Sequence, residues 1–156
     1  KHEIQKMELK YLVQTLVLNH FLPLENKSIK VNVEIPEKLF IKGNPDLLSS
    51  AIGNVLSNAI KFSNPGSEID IRGSQVDEII SLSIRDYGIG MNPEVSSQLF
   101  QRFSKSRRPG THNENSTGLG LYLSKRIMER FGARIYAKSE GEGKGSEFIL
   151  EFAREI

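Results

Sequence analysis

Residues 44–67 read NPDLLSSAIGNVLSNAIKFSNPGS. Asn44 followed by Pro45 is a helix start: the asparagine side chain caps, and proline at the first helical position loses no hydrogen bond. Leu48, Ile52, Val55, Ala59 and Phe62 recur at helical spacing and predict a helix from Pro45 to about Phe62. The cluster SNPGS at 63–67 then predicts a turn. At about 100° per residue, Leu47, Ala51, Asn54, Asn58 and Lys61 share a neighbouring face. That face begins apolar and turns polar beside the core stripe. Asparagine is a mediocre helix former, so two of them in line with a lysine call for a reason. Carboxamide oxygens suit a hard cation such as Mg²⁺, and a lysine suits phosphate. Taken alone, the same spacing also describes an ordinary solvated helix face.

Working outward, residues 8–20 carry apolar side chains at 9, 12, 13, 16 and 17, the pattern of an amphipathic helix. IKVNVEI (29–35) alternates as a half-buried strand does, and Pro36 ends it. LFIKG (39–43) reads as a short partner strand. Past the turn, EIDIRGS (68–74) and EIISLSIRD (78–86) read as two strands joined at 75–77. Pro93 and Glu94 open a short helix to about Phe100. Residues 104–117 are polar, basic and aperiodic, the marks of a long functional loop. GLGLYLSKRIMERFG (118–132) reads as a helix closed by Gly132. ARIYAKS (133–139) and SEFILEF (146–152) form a closing hairpin. The order predicts an α+β two-layer sandwich, with about three helices on one face of a mixed sheet.

Composition bounds the rest. The 156 residues are 38% hydrophobic and 26% charged, which suits one folded domain. A net charge of +2 is too small to argue for nucleic acid. The absence of cysteine excludes a disulfide framework and thiolate-bound zinc. No stretch approaches the roughly 20 apolar residues of a membrane span, and no signal peptide is visible. The chain begins at Lys1 rather than methionine, the pattern of an excised fragment whose parent is free to be membrane-anchored.

Two further stretches carry chemistry. In IRDYGIGM (84–91) a strand ends in Asp86, which can accept hydrogen bonds from an amine or a water, and Gly88 and Gly90 allow close backbone approach. In STGLGLYLSKR (116–126), Gly118 and Gly120 stand where a loop becomes a helix, and helix-start N–H groups favour an anion. Each is also compatible with a plain turn or hinge. GEGKGS (141–146) imitates a phosphate-binding loop, but Lys144 is followed by Gly145 and the context is a hairpin. It reads as a turn.

The order of these stretches is more specific than any one of them. NVLSNAIKFS, DYGIGM, LFQRFSKS, a basic loop and TGLGLYLSK together resemble the N, first glycine, F and second glycine boxes of sensor histidine kinases. These belong to the GHKL (Bergerat-fold) ATP-binding superfamily. The resemblance runs from about residue 8 to 152. It implies an α/β sandwich that binds ATP and Mg²⁺ between its helices and a mobile lid at about 104–117.

Residue by residue, the resemblance assigns Asp86 to the adenine amino group, with Gly88 and Gly90 passing the base. It assigns Asn58 to Mg²⁺ with Asn54 assisting, and Lys61 to phosphate. Phe100 and Phe103 would anchor the near end of the lid, and Lys105, with Arg102 beside it, would reach the γ-phosphate. Thr117, Gly118, Leu119 and Gly120 would form its far hinge and the phosphate-binding helix start. Hydrolysing relatives typically carry a glutamate where Asn54 stands, so the resemblance implies transfer rather than efficient hydrolysis, with Asn54, Lys61 and Lys105 as the catalytic set.

The implied partners are a histidine-bearing dimerisation domain of the parent kinase and a downstream response regulator. Nucleic acid and direct membrane insertion are not expected, the fragment is expected to be monomeric, and the compartment is cytoplasmic. His2-Glu3 begins an acceptor-like pattern that Gln5, Lys6 and Met7 do not continue, so residues 1–7 read as the end of a dimerisation helix or a linker. The alternatives are a serine kinase of the same superfamily and a degenerate module that binds nucleotide only as a regulatory ligand or docking surface.

Overall fold

The computed structural model describes residues 3–102, 110 and 119–154. Its chain order is β1 (Gln5–Glu8), α1 (Leu9–Asn19), α2 (Phe21–Asn26), β2 (Lys30–Glu34), β3 (Phe40–Gly43), α3 (Pro45–Phe62), β4 (Glu68–Val76), β5 (Ile79–Asp86), α4 (Pro93–Gln98), α5 (Gly120–Arg130), β6 (Arg134–Lys138) and β7 (Ser146–Ala153). The main sheet has five strands in the order β2-β4-β5-β7-β6. Only the β2–β4 pair is parallel; the other neighbours are antiparallel. A parallel pair needs a crossover, and α3 supplies it.

Alternation decides which face is covered. Ile69 and Ile71 of β4, Ile80, Leu82 and Ile84 of β5, and Phe148, Leu150 and Phe152 of β7 all turn toward the helices and are buried. The intervening residues are Asp70, Arg72, Ser81, Ser83, Arg85, Glu147 and Glu151, with Ile149 the apolar exception, so the other face is mainly polar. Leu48, Ile52, Val55, Leu56 and Ala59 of α3 fill the opposite side of the core. Each buried leucine or isoleucine there contributes about 1.5–3 kcal/mol. The predicted cap of α3 is present: Asn44 Oδ1 accepts from the Leu47 amide at 2.9 Å.

Four expectations change. Residues 5–8 form a strand, not the end of a helix: β1 pairs antiparallel with β3 in a separate two-stranded ribbon. The segment is too short for its periodicity to show, and the pairing is supported by Met7 packing against the core and by Lys6 over the Phe40 ring at 4.8 Å. For the same reason, β3 is the partner of β1 and not of β2. An additional short helix, α2, follows α1 after His20, whose Nδ1 lies 2.8 Å from the Leu16 carbonyl. The described residues therefore hold five helices, two of them only six residues long. Finally, α5 begins at Gly120. Its end is as expected: Gly132 has φ +70°, and the Ala133 and Gly132 amides donate back to Met128 and Glu129 at 2.9 and 3.1 Å, a Schellman closure.

Candidate functional site

The polar stripe of α3 lies at the rim of the helix layer. Asn54, Asn58 and Lys61 are all half-buried, while their neighbours Gly53, Val55, Ala59, Ile60 and Phe62 are buried. Asn54 turns toward α5: its Nδ2 donates to the Gly120 carbonyl at 3.1 Å. One turn later, the buried Ser124 hydroxyl donates to the Ala51 carbonyl at 2.8 Å. These two bonds fix the start of α5 against the middle of α3. Among the described residues, no hydrogen bond engages the Asn58 side chain, and the Lys61 ammonium lies 5.4 Å from the Phe62 ring centre.

Asp86 ends β5 opposite Ser146, on the helix-facing side of the sheet, and is 1% exposed. Its Oδ1 accepts from the Gly88 amide at 3.0 Å, the self-closing turn that aspartate commonly makes two residues on. The loop that follows is held between two neighbours. On one side the Ile89 amide donates to the Phe62 carbonyl at the end of α3, at 3.1 Å. On the other, the Gly143 and Gly145 amides donate to the Ile89 and Gly88 carbonyls at 2.7 and 3.2 Å. A Cβ at Gly88 would run into the Phe62 carbonyl, and one at Gly90, where φ is +68°, into the Gly141 carbonyl. Both glycines are thus required by backbone packing, independently of any ligand. The decoy GEGKG is the β6–β7 turn, as expected, and it forms the outer wall of this loop.

The expected aromatic anchor Phe100 packs edge-on against Phe148, with ring centres 6.2 Å apart, and Lys125 lies 5.8 Å above its ring. A groove of about 360 Å³ between α4 and α5 is lined by Phe100, Tyr122, Lys125 and Arg126, among others. Leu119 precedes α5 as its N-cap residue without a capping side chain. Phe103, Lys105, Thr117 and Gly118, and nearly all of the expected lid, lie outside the described residues. The structure therefore brings together Asn54, Leu119 and Gly120 at one junction, and Asp86, Gly88 and Gly90 at another. The α3 stripe with Asn58 and Lys61 runs between the two junctions.

Two contributors escaped sequence reading. Ser124 sits one turn after Gly120 in a segment read only for its glycines. Lys27 is 3% exposed and donates to the Ile60, Lys61 and Ser63 carbonyls at 2.9, 2.8 and 3.2 Å. A lysine between two elements reads as a surface residue, and no sequence signal separates it from one.

A two-layer sandwich with one covered sheet face is the architectural class. Within it, residues 43–156 match the family described as histidine kinase-, DNA gyrase B-, and HSP90-like ATPase, and the chain belongs to that family. The heme sensor protein HssS of Staphylococcus saprophyticus is 32% identical over 148 residues, covering 95% of this chain and 31% of HssS. The chain spans about a third of the length of such curated relatives. Among solved structures, a mycobacterial sensor histidine kinase, MprB, superposes with a TM-score of 0.83 at 23% identity, covering 99% of both chains. Full-length ShkA in complex with AMPPNP superposes with a TM-score of 0.83 at 21% identity, covering all of this chain and 32% of ShkA. These two likenesses bear on the fold.

Proposed function

We propose that this chain is the ATP-binding catalytic domain of a longer sensor histidine kinase, passing the γ-phosphoryl of Mg-ATP to a histidine on a dimerisation domain of the same parent. The observation that most supports this reading is the placement of Asp86. A carboxylate 1% exposed at the mouth of the helix layer, beside a glycine loop, suits recognition of a base amino group. The half-buried α3 stripe leading away from it toward the start of α5 suits a triphosphate. The solved ShkA structure holds the ATP analogue AMPPNP, and the family match is to ATPases.

The donor set fits Mg²⁺. Asn58 offers a half-buried carboxamide oxygen with no hydrogen bond among the described residues, and Asn54 has an oxygen left after its nitrogen is spent on Gly120. Neutral oxygen donors of this kind suit a hard cation that keeps several waters and takes the rest of its shell from phosphates. Bound there, the cation would supply charge neutralisation of the phosphates. The chain's own part is positioning: Asp86 sets the base, Lys61 faces phosphate charge, and α5 directs its first N–H groups to it. Asn54 is no general base, since a carboxamide does not take up a proton at neutral pH. Its presence favours transfer over hydrolysis.

No helix among the described residues is long and apolar enough to cross a membrane. The reading puts the domain on the cytoplasmic side, where ATP is, with a response regulator as the parent's downstream partner. The test is calorimetric titration with a non-hydrolysable ATP analogue, with and without Mg²⁺, followed by labelled ATP and a separately supplied histidine-bearing fragment. Saturable binding and acid-labile label on that fragment are expected. Absence of binding at millimolar nucleotide would overturn the reading, and binding without transfer would leave a regulatory nucleotide module.

A further inference from the structure

The last carbonyls of α3 are divided between two structural partners. Lys27, just after α2, sends its ammonium into the fold to meet the Ile60, Lys61 and Ser63 carbonyls. The carbonyl between them, Phe62, accepts the Ile89 amide of the glycine loop. The Lys27 backbone is tied to the same place, because its own carbonyl accepts from the Gly66 amide at 2.8 Å in the turn after α3. The chain reverses immediately afterwards through Ser28, at φ +55°, with the Ser28 and Ile29 amides returning to Glu25 and Leu24. The ammonium is therefore held by its own backbone as well as by its acceptors.

A buried cation is costly unless its donors are satisfied. Here three carbonyls do so, and the negative end of the α3 dipole adds to them. What the arrangement secures is the position of the Phe62 carbonyl. Gly88 has no room for a Cβ against that oxygen, so any shift of the end of α3 moves the Gly88–Ile89 segment. That segment fixes the Asp86 carboxylate through the Gly88 amide.

We propose that Lys27 is a positioning residue for the nucleotide site, locking the α3 stripe of Asn58 and Lys61 in register with the Asp86 loop. It touches no nucleotide; it acts through the Ile60, Lys61 and Ser63 carbonyls, which flank that of Phe62. The proposal rests on the nucleotide-binding reading above.

The test compares Lys27→Met and Lys27→Arg with Leu24→Ala, a substitution of a buried residue on α2 that lowers stability while removing none of the hydrogen bonds to the α3 carbonyls. Affinity for a non-hydrolysable ATP analogue is titrated well below each variant's melting midpoint, and the Ile89 amide resonance is followed by NMR. Lys27→Met should weaken binding about tenfold and shift the Ile89 amide. Lys27→Arg, which keeps a cation and its donors, should recover binding to within about threefold of the unsubstituted chain. Leu24→Ala should lower the melting midpoint with affinity and the Ile89 resonance unchanged. Should Lys27→Met fail to fold, Lys27→Gln is read by the same two measures. Unchanged affinity in the folded Lys27 variant, or a loss no larger than that of Leu24→Ala, overturns the Lys27 assignment and leaves the nucleotide site standing. If the unsubstituted chain binds no nucleotide, the site reading and this one fall together.

Discussion

The Asn54 side-chain nitrogen donates to the Gly120 carbonyl oxygen across the α3–α5 junction, 3.1 Å away. The bond makes the residue at this position a joint as well as a candidate ligand. Asn54→Asp replaces a donor with a second acceptor and sets a carboxylate oxygen against a carbonyl. Losing this part-buried hydrogen bond and setting two acceptors against each other costs about 1–2 kcal/mol. For a domain of this size that lowers the melting midpoint by roughly 2–4 °C per kcal/mol. A thermal melt matching the unsubstituted chain would show that the joint is not formed in solution.

Asp86→Asn separates recognition from folding. Asparagine keeps the Oδ1 acceptor that closes the turn to Gly88, so the loop stands. What is lost is the charge and one acceptor, which under the proposed reading would meet a base amino group. Affinity for an ATP analogue should fall by more than tenfold, about 1.4 kcal/mol, with little change in the melting midpoint. Equal affinity in calorimetric titration would remove Asp86 from the site.

These two residues also show how far the sequence could be read. The α3 helix, its Asn44–Pro45 start and its apolar stripe were legible because cap chemistry and a single period agree over eighteen residues. The β4–β5 and β6–β7 hairpins were legible because alternation marks their strands, and in β6–β7 a glycine-rich turn agrees with it. The β1–β3 ribbon was not, since four-residue strands carry too few repeats to show a period and their pairing is set by partners far apart in the chain. At the site, spacing alone brought Asn54, Asn58 and Lys61 into line. It did not show that Gly88 and Gly90 are demanded by the Phe62 and Gly141 carbonyls, or that Lys27 is buried. Both are facts of tertiary contact with no local trace.

Asn58→Ala isolates the cation. The side chain is half-buried and makes no hydrogen bond to a described residue, so its removal should leave stability within about 0.5 kcal/mol. Titrations with the ATP analogue should lose most of the affinity gained on adding Mg²⁺, while adenosine binds as before. Survival of the full Mg²⁺ dependence would rule out Asn58 as a ligand.

On the open face of the sheet, the Tyr87 hydroxyl donates to Asp70 Oδ2 at 2.6 Å, and Asn32 Nδ2 donates to Oδ1 at 2.8 Å. The Tyr87 bond, and then the Asn32 bond, hold the Asp70 carboxyl below the usual carboxylate range. The same bond to Asp70, followed by partial burial, raises the Tyr87 phenol. Asp70 is depressed in the folded state, so its contribution is present above its unfolded pKa of about 3.9 and is lost as the pH falls through the folded value. Tyr87 is raised, so its contribution is whole below about pH 10 and is lost as the pH rises through the folded value. Tyr87 is exposed and Asp70 only half-buried, and solvent screening keeps both effects on stability small. Tyr87→Phe should move the Asp70 titration midpoint upward, read from side-chain carboxyl resonances. An unmoved midpoint would mean that the bond is absent in solution.

Gly88→Ala tests the close approach on which the site depends. The added methyl meets the Phe62 carbonyl oxygen, its carbonyl carbon and the Ser63 Cα, all backbone atoms, and no side chain can swing aside to admit it. Overpacking costs about 1–3 kcal/mol, and a clash that only the backbone can relieve lies at or above the top of that range. Gly66→Ala is the matched control: it also sits next to the end of α3, but with φ +81° and open space around the added carbon. Its cost is that of a left-handed conformation alone, about 1–2 kcal/mol. Gly88→Ala should therefore melt several degrees below Gly66→Ala and, where still folded, should lose nucleotide affinity. Gly66→Ala should bind as the unsubstituted chain does. Equal melting midpoints for the two variants would mean that the Asp86 loop does not rest on the α3 terminus, and the juxtaposition of Asp86 with the Asn58–Lys61 stripe would lose its physical basis.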